Sequence, residues 1–328
     1  MRCISRAKSA ALVCVASISL FTGGCIGGKG ATPVTAYELK NYNQDLYQGK
    51  LYAEELCVAQ NDVALEGYTE DTELHSAALF DLTGERVLYS YKAHERLYPA
   101  STTKIMTALL AIENANLDDQ VTISGNADAS SFSADAQVCG LAKGEVWTLR
   151  DLLGALLLYS GNDAATAIAE YVGGSEEAFV NMMNRRAQEL MANGTHFMNP
   201  HGLHDDNHYT TAYDLYLIFN ECIKHEDFVN IIQSEAYTAY YTDVDGNSQE
   251  ALFTPTNLYA QGEVDVPENV TIVGGKTGTT DEAGYCLILM EKDSSDNPYI
   301  SIVMGASEKP VLYEDMTSLI EAIPSGQK

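Results

Sequence analysis

Residues 272–280 read IVGGKTGTT, and the way the chain continues from this stretch decides the fold. A Gly-Lys-Thr triplet occurs in nucleotide-binding P-loops. Such a loop also needs a glycine five residues before the glycine that precedes the lysine, and Val270 occupies that position. A helix should follow a P-loop, whereas here a short turn leads into a second apolar run, YCLILM, at 285–290. The pattern therefore predicts a β-hairpin with the Lys-Thr-Gly triplet on its first strand.

Other apolar patterns place this hairpin in a larger antiparallel sheet. Strand patterns occur at 76–81, 86–91, 271–277, 285–291 and 299–304. Helical periodicity predicts helices at 101–114, 149–158, 164–171, 176–193, 212–220 and 313–323. The order of these elements predicts an α+β fold, in which an antiparallel five-stranded sheet is flanked by helices and holds an inserted helical subdomain.

The composition limits the classes of partner. The chain has 328 residues, 46% of them hydrophobic, which is enough to bury a full core. It carries 46 acidic and 19 basic side chains, for a formal net charge of −27. Affinity for nucleic acid depends on Lys and Arg contacts with phosphates, so we expect no nucleic-acid partner. A small anionic ligand would have to be bound by a local cation.

The first 25 residues resemble an export signal. Basic side chains precede a short apolar run at 9–21, and the sequence TGGC then ends at Cys25. This ending resembles the lipobox of bacterial lipoproteins, although Thr22 stands where leucine is usual. The pattern predicts a signal peptide at 1–25, lipidation of Cys25 and a membrane-anchored protein outside the cytoplasm. Plain cleavage with secretion, or an uncleaved anchor, is the alternative.

The remaining chain divides into three parts. Residues 26–73 are polar and only weakly periodic, which predicts a linker or lead-in with one short helix at about 43–59. Residues 74–323 hold the predicted sheet and helices and form the main domain, and 324–328 form a short tail.

The cysteines in the body of the chain are widely separated. They show no C-x-x-C pairing, so a zinc knuckle is not expected. One disulfide outside the cell and buried free thiols both remain open for Cys57, Cys139, Cys222 and Cys286.

Three short motifs carry reactive side chains. Ser101 and Lys104 form a Ser-x-x-Lys pattern at the start of a predicted helix, and this spacing places hydroxyl and amine on one face. Ser160-Gly161-Asn162 lies between two apolar helices, and Lys276-Thr277-Gly278 lies on a predicted strand. Each motif alone is common, but the three in this order, with a helical insert between them, are specific.

With these motifs the chain resembles the low-molecular-mass penicillin-binding proteins that are serine-type D-alanyl-D-alanine carboxypeptidases, peptidase family S11. The resemblance runs from about residue 76 to 323. It includes YPASTTKIMTALLAIE at 98–113, THFMNPHGLHDDNHYTTAYDL at 195–215 and GGKTGTTDEAGYCL at 274–287. It implies a β-lactamase/transpeptidase-like catalytic domain that removes the terminal D-Ala from peptidoglycan stem peptides and is acylated by β-lactams, without cofactor or metal.

The resemblance implies a role for each catalytic side chain. Ser101 would attack the carbonyl between the two D-alanines and form an acyl-enzyme. Lys104 would take the hydroxyl proton, which requires a lowered pKa, and burial together with the Lys276 cation would lower it. Ser160 would relay a proton to the leaving amine, and Asn162 would hold Lys104 and the substrate amide.

The same resemblance implies how substrate is bound. Lys276 and Thr277 would bind the terminal carboxylate, and the strand would pair with the extended peptide. Gly278 would leave room for this approach. The backbone N–H groups of Ser101 and Thr279 would form the oxyanion hole.

Three alternatives share these motifs. A β-lactamase or a peptidoglycan DD-endopeptidase would use the same fold, and a non-catalytic lipoprotein could sense penicillin or bind peptidoglycan. Gly161 and the absence of a Glu-x-x-x-Asn segment after 160–162 favour the carboxypeptidases over class A β-lactamases. A pure binder has no need for a base such as Lys104 beside Ser101.

Two further clusters invite a functional interpretation. Metal-ligand residue types occur close together at His201, His204, Asp205, Asp206 and His208. His201 belongs to the family-like NPHGL block and the others follow it in a polar loop, so no metal site is expected. Tyr237–Tyr241 could form an aromatic sugar platform, but β propensity favours an ordinary strand.

Overall fold

A computed structural model describes residues 55–65 and 75–324 of the chain. The predicted signal peptide, the predicted lipidation site Cys25 and most of the predicted lead-in lie outside the described residues. Within the described ranges, none of the helices is both long and apolar enough to cross a bilayer.

The described chain forms two antiparallel sheets. The strands are β1 (Ser76–Asp81), β2 (Arg86–Tyr91), β3 (Gln120–Thr122), β4 (Val146–Thr148), β5 (Tyr237–Thr242), β6 (Ser248–Phe253), β7 (Val270–Thr280), β8 (Gly284–Asp293) and β9 (Pro298–Ala306). The larger sheet has five strands in the order β2-β1-β9-β8-β7, and every neighbouring pair is antiparallel. This arrangement confirms the α+β fold with a five-stranded antiparallel sheet.

The helices lie on both faces of the larger sheet. Most of them occur in the chain between its first two strands and its last three. They are α1 (Lys104–Asn114), α2 (Leu149–Gly154), α3 (Asn162–Gly173), α4 (Glu176–Glu189), α5 (Ala212–Cys222), α6 (Glu226–Ile232), α7 (Leu258–Gln261) and α8 (Lys309–Glu321). Side chains of Thr148, Ser175 and Thr211 cap α2, α4 and α5 by accepting backbone N–H groups of the first turn.

Burial on both faces explains the sequence of the central strands. In β8 and β9 the apolar residues run on without alternation because each face is covered by helices. Ile288 and Ile302 point to the cluster that contains α1, whereas Leu287 and Val303 point to the cluster beneath α8. Helix α1 is buried along its first eight residues, as expected for a central helix that is apolar on most sides.

The smaller sheet was not predicted as such. It has the order β3-β4-β5-β6, and only its strand at Tyr237–Thr242 was expected. Strands β3 and β4 have three residues each, which is too short for an alternating pattern. The ring of Tyr241 stacks on Trp147, with centroids 4.2 Å apart, so this tyrosine packs within the fold. Tyr240 is 60% exposed.

Part of the predicted lead-in belongs to the compact domain. Cys57 is buried, and its N–H donates to the hydroxyl of Tyr216 at 2.9 Å. Val63 forms a β-bridge with Ser90 at the edge of the larger sheet. The domain therefore begins before residue 74, which corrects the predicted boundary, and the described part of the expected 43–59 helix is not helical.

The four cysteines in the described ranges are free thiols. Cys57, Cys222 and Cys286 are buried, and Cys139 is half-buried. The sequence left both a disulfide and free thiols open, and the structure shows free thiols.

Candidate active site

Ser101 lies on a strained turn that leads into α1. The preceding Ala100 has φ = 47°, a left-handed conformation that is unusual for a residue with a side chain. Residues Ala100–Thr103 form one turn of 3-10 helix, and the hydroxyl of Thr102 donates to the Pro99 carbonyl at 2.7 Å. Backbone strain of this kind collects at functional sites. Ser101 is partly exposed, whereas the next residues of the turn are buried.

Lys104 is enclosed directly behind Ser101. Its side chain is fully buried, and its Nζ lies 2.9 Å from Ser101 Oγ, 2.7 Å from Asn162 Oδ1 and 2.6 Å from the His201 carbonyl oxygen. Burial lowers the pKa of Lys104 well below its usual range, and the nearby Lys276 lowers it further. The structure thus brings together the predicted nucleophile, the predicted base and Asn162.

The contacts of Lys104 match the needs of a neutral amine. A neutral amine has two N–H groups and one lone pair. The amide oxygen of Asn162 and the carbonyl oxygen of His201 can only accept, so they use both N–H groups. The remaining neighbour is the Ser101 hydroxyl, which can donate its proton to the lone pair. When Lys104 is neutral, the geometry is therefore that of a general base.

Ser160 and Lys276 form a second buried pair. Ser160 has φ = 71° and follows a π-helical turn at Ala155–Tyr159. The Nζ of Lys276 donates to Ser160 Oγ and to the Thr277 carbonyl, both at 2.9 Å. Lys276 is 1% exposed, and burial lowers its pKa to about 7.

A cavity of about 190 Å³ opens beside Ser101. The predicted residues that line it are Ser101, Ser160, Thr277, Gly278 and Thr279. Lys104, Asn162 and Lys276 do not line the cavity. They contact residues that do, since Lys104 bonds to Ser101, the N–H of Asn162 to the Gln137 carbonyl, and Lys276 to Ser160. The three motifs thus converge on one site, with hydroxyl groups at the cavity and amines behind them.

Some lining residues were missed by the sequence analysis. Gln137, Thr256, Tyr285 and Lys309 also face the cavity, and Thr256 shares a hydrogen bond with the Thr277 hydroxyl. Lys309 lies in the first turn of α8 and brings an exposed cation to the rim. None of these residues belongs to one of the three short motifs, although Tyr285 lies in the family-like block at 274–287. Only the folded chain shows that the segment after β6 and the start of α8 reach this site.

Gly278 allows the strand to lie directly against the turn that carries Ser101. A Cβ atom at Gly278 would lie 2.9 Å from the Pro99 carbonyl oxygen and 3.0 Å from the backbone nitrogen of Ser101. Such distances are too short for carbon, so a side chain would push β7 away from the turn. The N–H of Ser101 is one of the two donors predicted for the oxyanion hole, and Gly278 determines how close the strand comes to it.

The histidine-rich loop has a structural use at this site. The ring of His208 is hydrogen-bonded to the Thr103 hydroxyl at 2.8 Å, and burial lowers its pKa to about 4. Burial likewise lowers the pKa of His201 to about 3, and its carbonyl oxygen is a partner of Lys104. His204 stacks edge-on against Tyr98 instead. His204 Nε2 also lies 3.3 Å from Asp206 Oδ1. The rings of His201, His204 and His208 therefore have different neighbours.

Comparison with known proteins identifies the family. The sequence profile of the D-alanyl-D-alanine carboxypeptidase family matches residues 64–308. The chain belongs to this family. It is 34% identical over 254 residues to D-alanyl-D-alanine carboxypeptidase DacF of Bacillus subtilis, covering 76% of this chain and 61% of that protein. It is 32% identical over 241 residues to the D-alanyl-D-alanine carboxypeptidase of Streptomyces sp. strain K15, covering 71% of this chain and 81% of the relative.

Solved structures of the family agree with the fold. The chain superposes on the Streptomyces K15 DD-transpeptidase with a TM-score of 0.71 and 28% identity, covering 78% of this chain and 98% of that one. Penicillin binding protein 5 from Haemophilus influenzae gives a TM-score of 0.68 at 27% identity, covering 78% and 72%. The chain spans about three fifths of the length of the carboxypeptidases DacF of Bacillus subtilis and DacC of Escherichia coli.

Replacing Gly278 tests the fit between strand and turn. We expect Gly278→Ala to lower the rate of acylation by penicillin roughly a hundredfold, the cost of losing one oxyanion-hole donor. Gly125→Ala is the matched control, because a Cβ there meets nothing closer than 3.8 Å. Stopped-flow or quenched acylation kinetics measure both. A Gly278→Ala protein that acylates at the unmodified rate would mean that the strand does not shape this site.

Proposed function

We propose that the protein is a serine-type D-alanyl-D-alanine carboxypeptidase that removes the terminal D-Ala from peptidoglycan stem peptides and is acylated by β-lactams. The observation that carries the proposal is the 2.9 Å contact between Ser101 Oγ and the buried amine of Lys104, whose two other neighbours accept hydrogen bonds only. Membership of the carboxypeptidase family supports the same reaction.

Acylation follows from this geometry. The neutral Lys104 amine takes the Ser101 proton while Oγ bonds to the carbonyl carbon of the penultimate D-Ala. Backbone N–H groups at Ser101 and Thr279 stabilise the negative oxygen that forms. The C–N bond then breaks, and the proton held on Lys104 passes through the Ser160 hydroxyl to the leaving amine, which departs as D-Ala.

Deacylation reverses the roles of the same groups. A water molecule attacks the ester of Ser101 and gives its proton to Lys104. The ester bond breaks, and the proton returns to Ser101 Oγ. With penicillin the leaving group stays tethered to the acyl part, so the ester lasts longer and the enzyme is trapped.

Two kinds of group are available for the carboxylate of the substrate. Thr277 presents a hydroxyl to the cavity, and Lys309 adds an exposed positive charge at the rim. Lys276 acts from behind Thr277, since its Nζ donates to the Thr277 carbonyl and to Ser160 Oγ. The chain as a whole carries a net charge of −27, which repels an anionic peptide end. Such an end must therefore be bound by local cations, here Lys276 and Lys309.

We further propose that the protein works outside the cytoplasm, held to the membrane by a lipid on Cys25. The support is the TGGC sequence after a basic and apolar leader. Peptidoglycan stem peptides are found in the same compartment.

The proposed acyl-enzyme predicts one site of labelling. A fluorescent penicillin should form a covalent adduct at Ser101, and mass mapping of the labelled peptide should place it within 98–113. Ser101→Ala should not be labelled, because the attacking hydroxyl is absent. Ser131→Ala is a suitable control, since that hydroxyl is exposed and bonds to Gly125 instead. An adduct on another residue would exclude the proposed mechanism.

Lys276→Ala should change the pH dependence of acylation. Removing this cation raises the pKa of Lys104, so the acidic limb of the pH–rate profile moves to higher pH. If Lys276 also helps to bind the substrate carboxylate, peptides ending in a free acid should lose roughly ten- to a hundredfold more rate than their amides. Lys224→Ala, an exposed lysine paired with Glu221, is the control. Equal losses on acid and amide with an unmoved profile would make Lys276 purely structural.

The lipid on Cys25 is tested separately. Mass spectrometry of the protein from bacterial membranes should show a mature chain that begins with an acylated Cys25. Cys25→Ala removes the acylated side chain. The variant should therefore either keep its leader or be released without the lipid. A mature chain that starts at another residue would remove the lipid proposal and leave the enzymatic one intact.

A further inference from the structure

A buried carboxylate outside the three motifs binds the backbone of a neighbouring segment. Asp163, the second residue of α3, is completely buried. Its carboxylate accepts the N–H groups of Cys139, Gly140 and Leu141 at 2.9, 2.9 and 3.0 Å, and that of Ala164 in its own helix at 2.9 Å. Successive backbone N–H groups that point at one anion form an anion-binding nest, here filled by a side chain of the same chain.

The segment held in this way borders the cavity. We name residues 137–141 the strap. The carbonyl oxygen of Gln137 accepts the N–H of Asn162 at 2.8 Å, and its side chain donates to the Tyr159 carbonyl at 3.2 Å. Gln137 also lines the cavity beside Ser160. The strap is therefore bonded to the residues on both sides of Ser160 and Gly161.

The loop that carries Ser160 depends on outside support. Ser160 has a left-handed backbone, and the N–H of Gly161 donates to the carbonyl of Ala155, the first residue of the π-helical turn. A Cβ at Gly161 would lie 2.0 Å from the sulfur of Cys139, so the strap already occupies that space. Strained conformations of this kind persist only where the surroundings fix them.

We propose that Asp163 is a positioning residue: its carboxylate fixes the strap, and the strap holds Ser160 and Asn162 at the distances that the reaction needs. The inference rests on the proposed acyl-enzyme function. Asp163 does not line the cavity, so it acts through its neighbours. One helix turn thus supplies both Asn162, which contacts Lys104, and Asp163, which anchors the strap.

The charge of Asp163 has a second effect at the same site. The ionisable groups that act electrostatically on Lys104 or respond to it are Lys276, Cys139, Asp163, His201 and His208. Asp163 is the carboxylate among them. Its negative charge raises the pKa of Lys104 and so partly offsets the lowering by burial and by Lys276. Removing the charge should therefore lower the pKa of Lys104 further.

Asp163→Asn separates this role from a general contribution to stability. The substitution keeps the shape but removes the charge and one acceptor of backbone N–H groups. We expect amide hydrogen exchange in the strap to become roughly tenfold faster, and acylation by penicillin to slow by a similar factor. The acidic limb of the pH–rate profile should move to lower pH, opposite to Lys276→Ala. A purely structural role would leave the limb where it is.

Two further variants control the experiment. Asp128→Asn removes a carboxylate that also accepts two backbone N–H groups, from Ser130 and Lys143, and it should leave the acylation rate and profile unchanged. Asp163→Glu keeps the charge but displaces the carboxylate by one methylene. It should therefore loosen the strap and slow acylation without lowering the acidic limb. The acylation rate constants are taken from the time courses of labelling. A rate constant obtained in this way does not depend on the fraction of the protein that is folded.

The outcomes distinguish this inference from the proposed function. Unmodified protein should already show slow exchange at the amides of Cys139, Gly140 and Leu141, and fast exchange there would overturn the proposal without any variant. Unchanged exchange or an unmoved acidic limb in Asp163→Asn would overturn it as well. If the unmodified protein fails to react with penicillin, the proposed function fails, whereas the exchange experiment still tests the strap.

Discussion

The enclosure of the Lys104 amine is the constraint on which the rest of the site depends. An ammonium group taken out of water without a carboxylate partner is strongly disfavoured, and a buried lysine responds by losing its proton. Three oxygen atoms surround Nζ, and they come from the turn before α1, from the start of α3 and from the loop at 199–208. Each of these segments must be held rigidly, because a displaced oxygen would be replaced by water and the amine would regain its charge.

The larger fold can be understood as the means of holding those segments. Helix α1 is covered on nearly every side, so the turn that carries Ser101 is fixed from below. Strand β7 lies at the edge of the larger sheet and is paired with β8 alone in that sheet, which leaves its other edge facing the site. The edge of a sheet is where an extended peptide can add as a further strand. The same strand carries Lys276, which lowers the pKa of Lys104, so the peptide-binding edge that we propose and the control of the Lys104 proton lie on one element.

Much of this arrangement was predictable, because local patterns determine it. The hairpin at 76–91 and the apolar runs of β8 and β9 identify the larger sheet, and the three motifs identify the residues around Ser101. The smaller sheet was not predictable, because its strands β3 and β4 are too short to show a period. Backbone partners are equally invisible to sequence patterns. The His201 carbonyl contacts Lys104, although the side-chain type of His201 suggested a metal ligand.

The placement of Asp163 shows a further limit of sequence reasoning. In the sequence it directly follows a motif residue, and an acidic residue in the first turn of a helix has the ordinary explanation of interacting with the helix dipole. Three of its four partners are backbone N–H groups more than twenty residues earlier in the chain, in a segment with no regular structure. Only the folded chain reveals such a contact, because every residue offers the same N–H group.

Close backbone approach explains why three distant segments can meet at one hydroxyl. A Cβ at Gly202 would lie 1.9 Å from the Ala100 carbonyl oxygen, and one at Gly278 would lie 3.0 Å from the Ser101 nitrogen. The two glycines contact the Ser101 turn from the 199–208 loop and from β7, and they leave no space for a side chain. Because both contacts involve backbone atoms, a neighbouring side chain cannot relieve a clash by rotating. The chain therefore has glycine where the His201 carbonyl and the Thr279 backbone must both come close to one turn, and this requirement links the NPHGL and KTG blocks to the Ser-x-x-Lys motif.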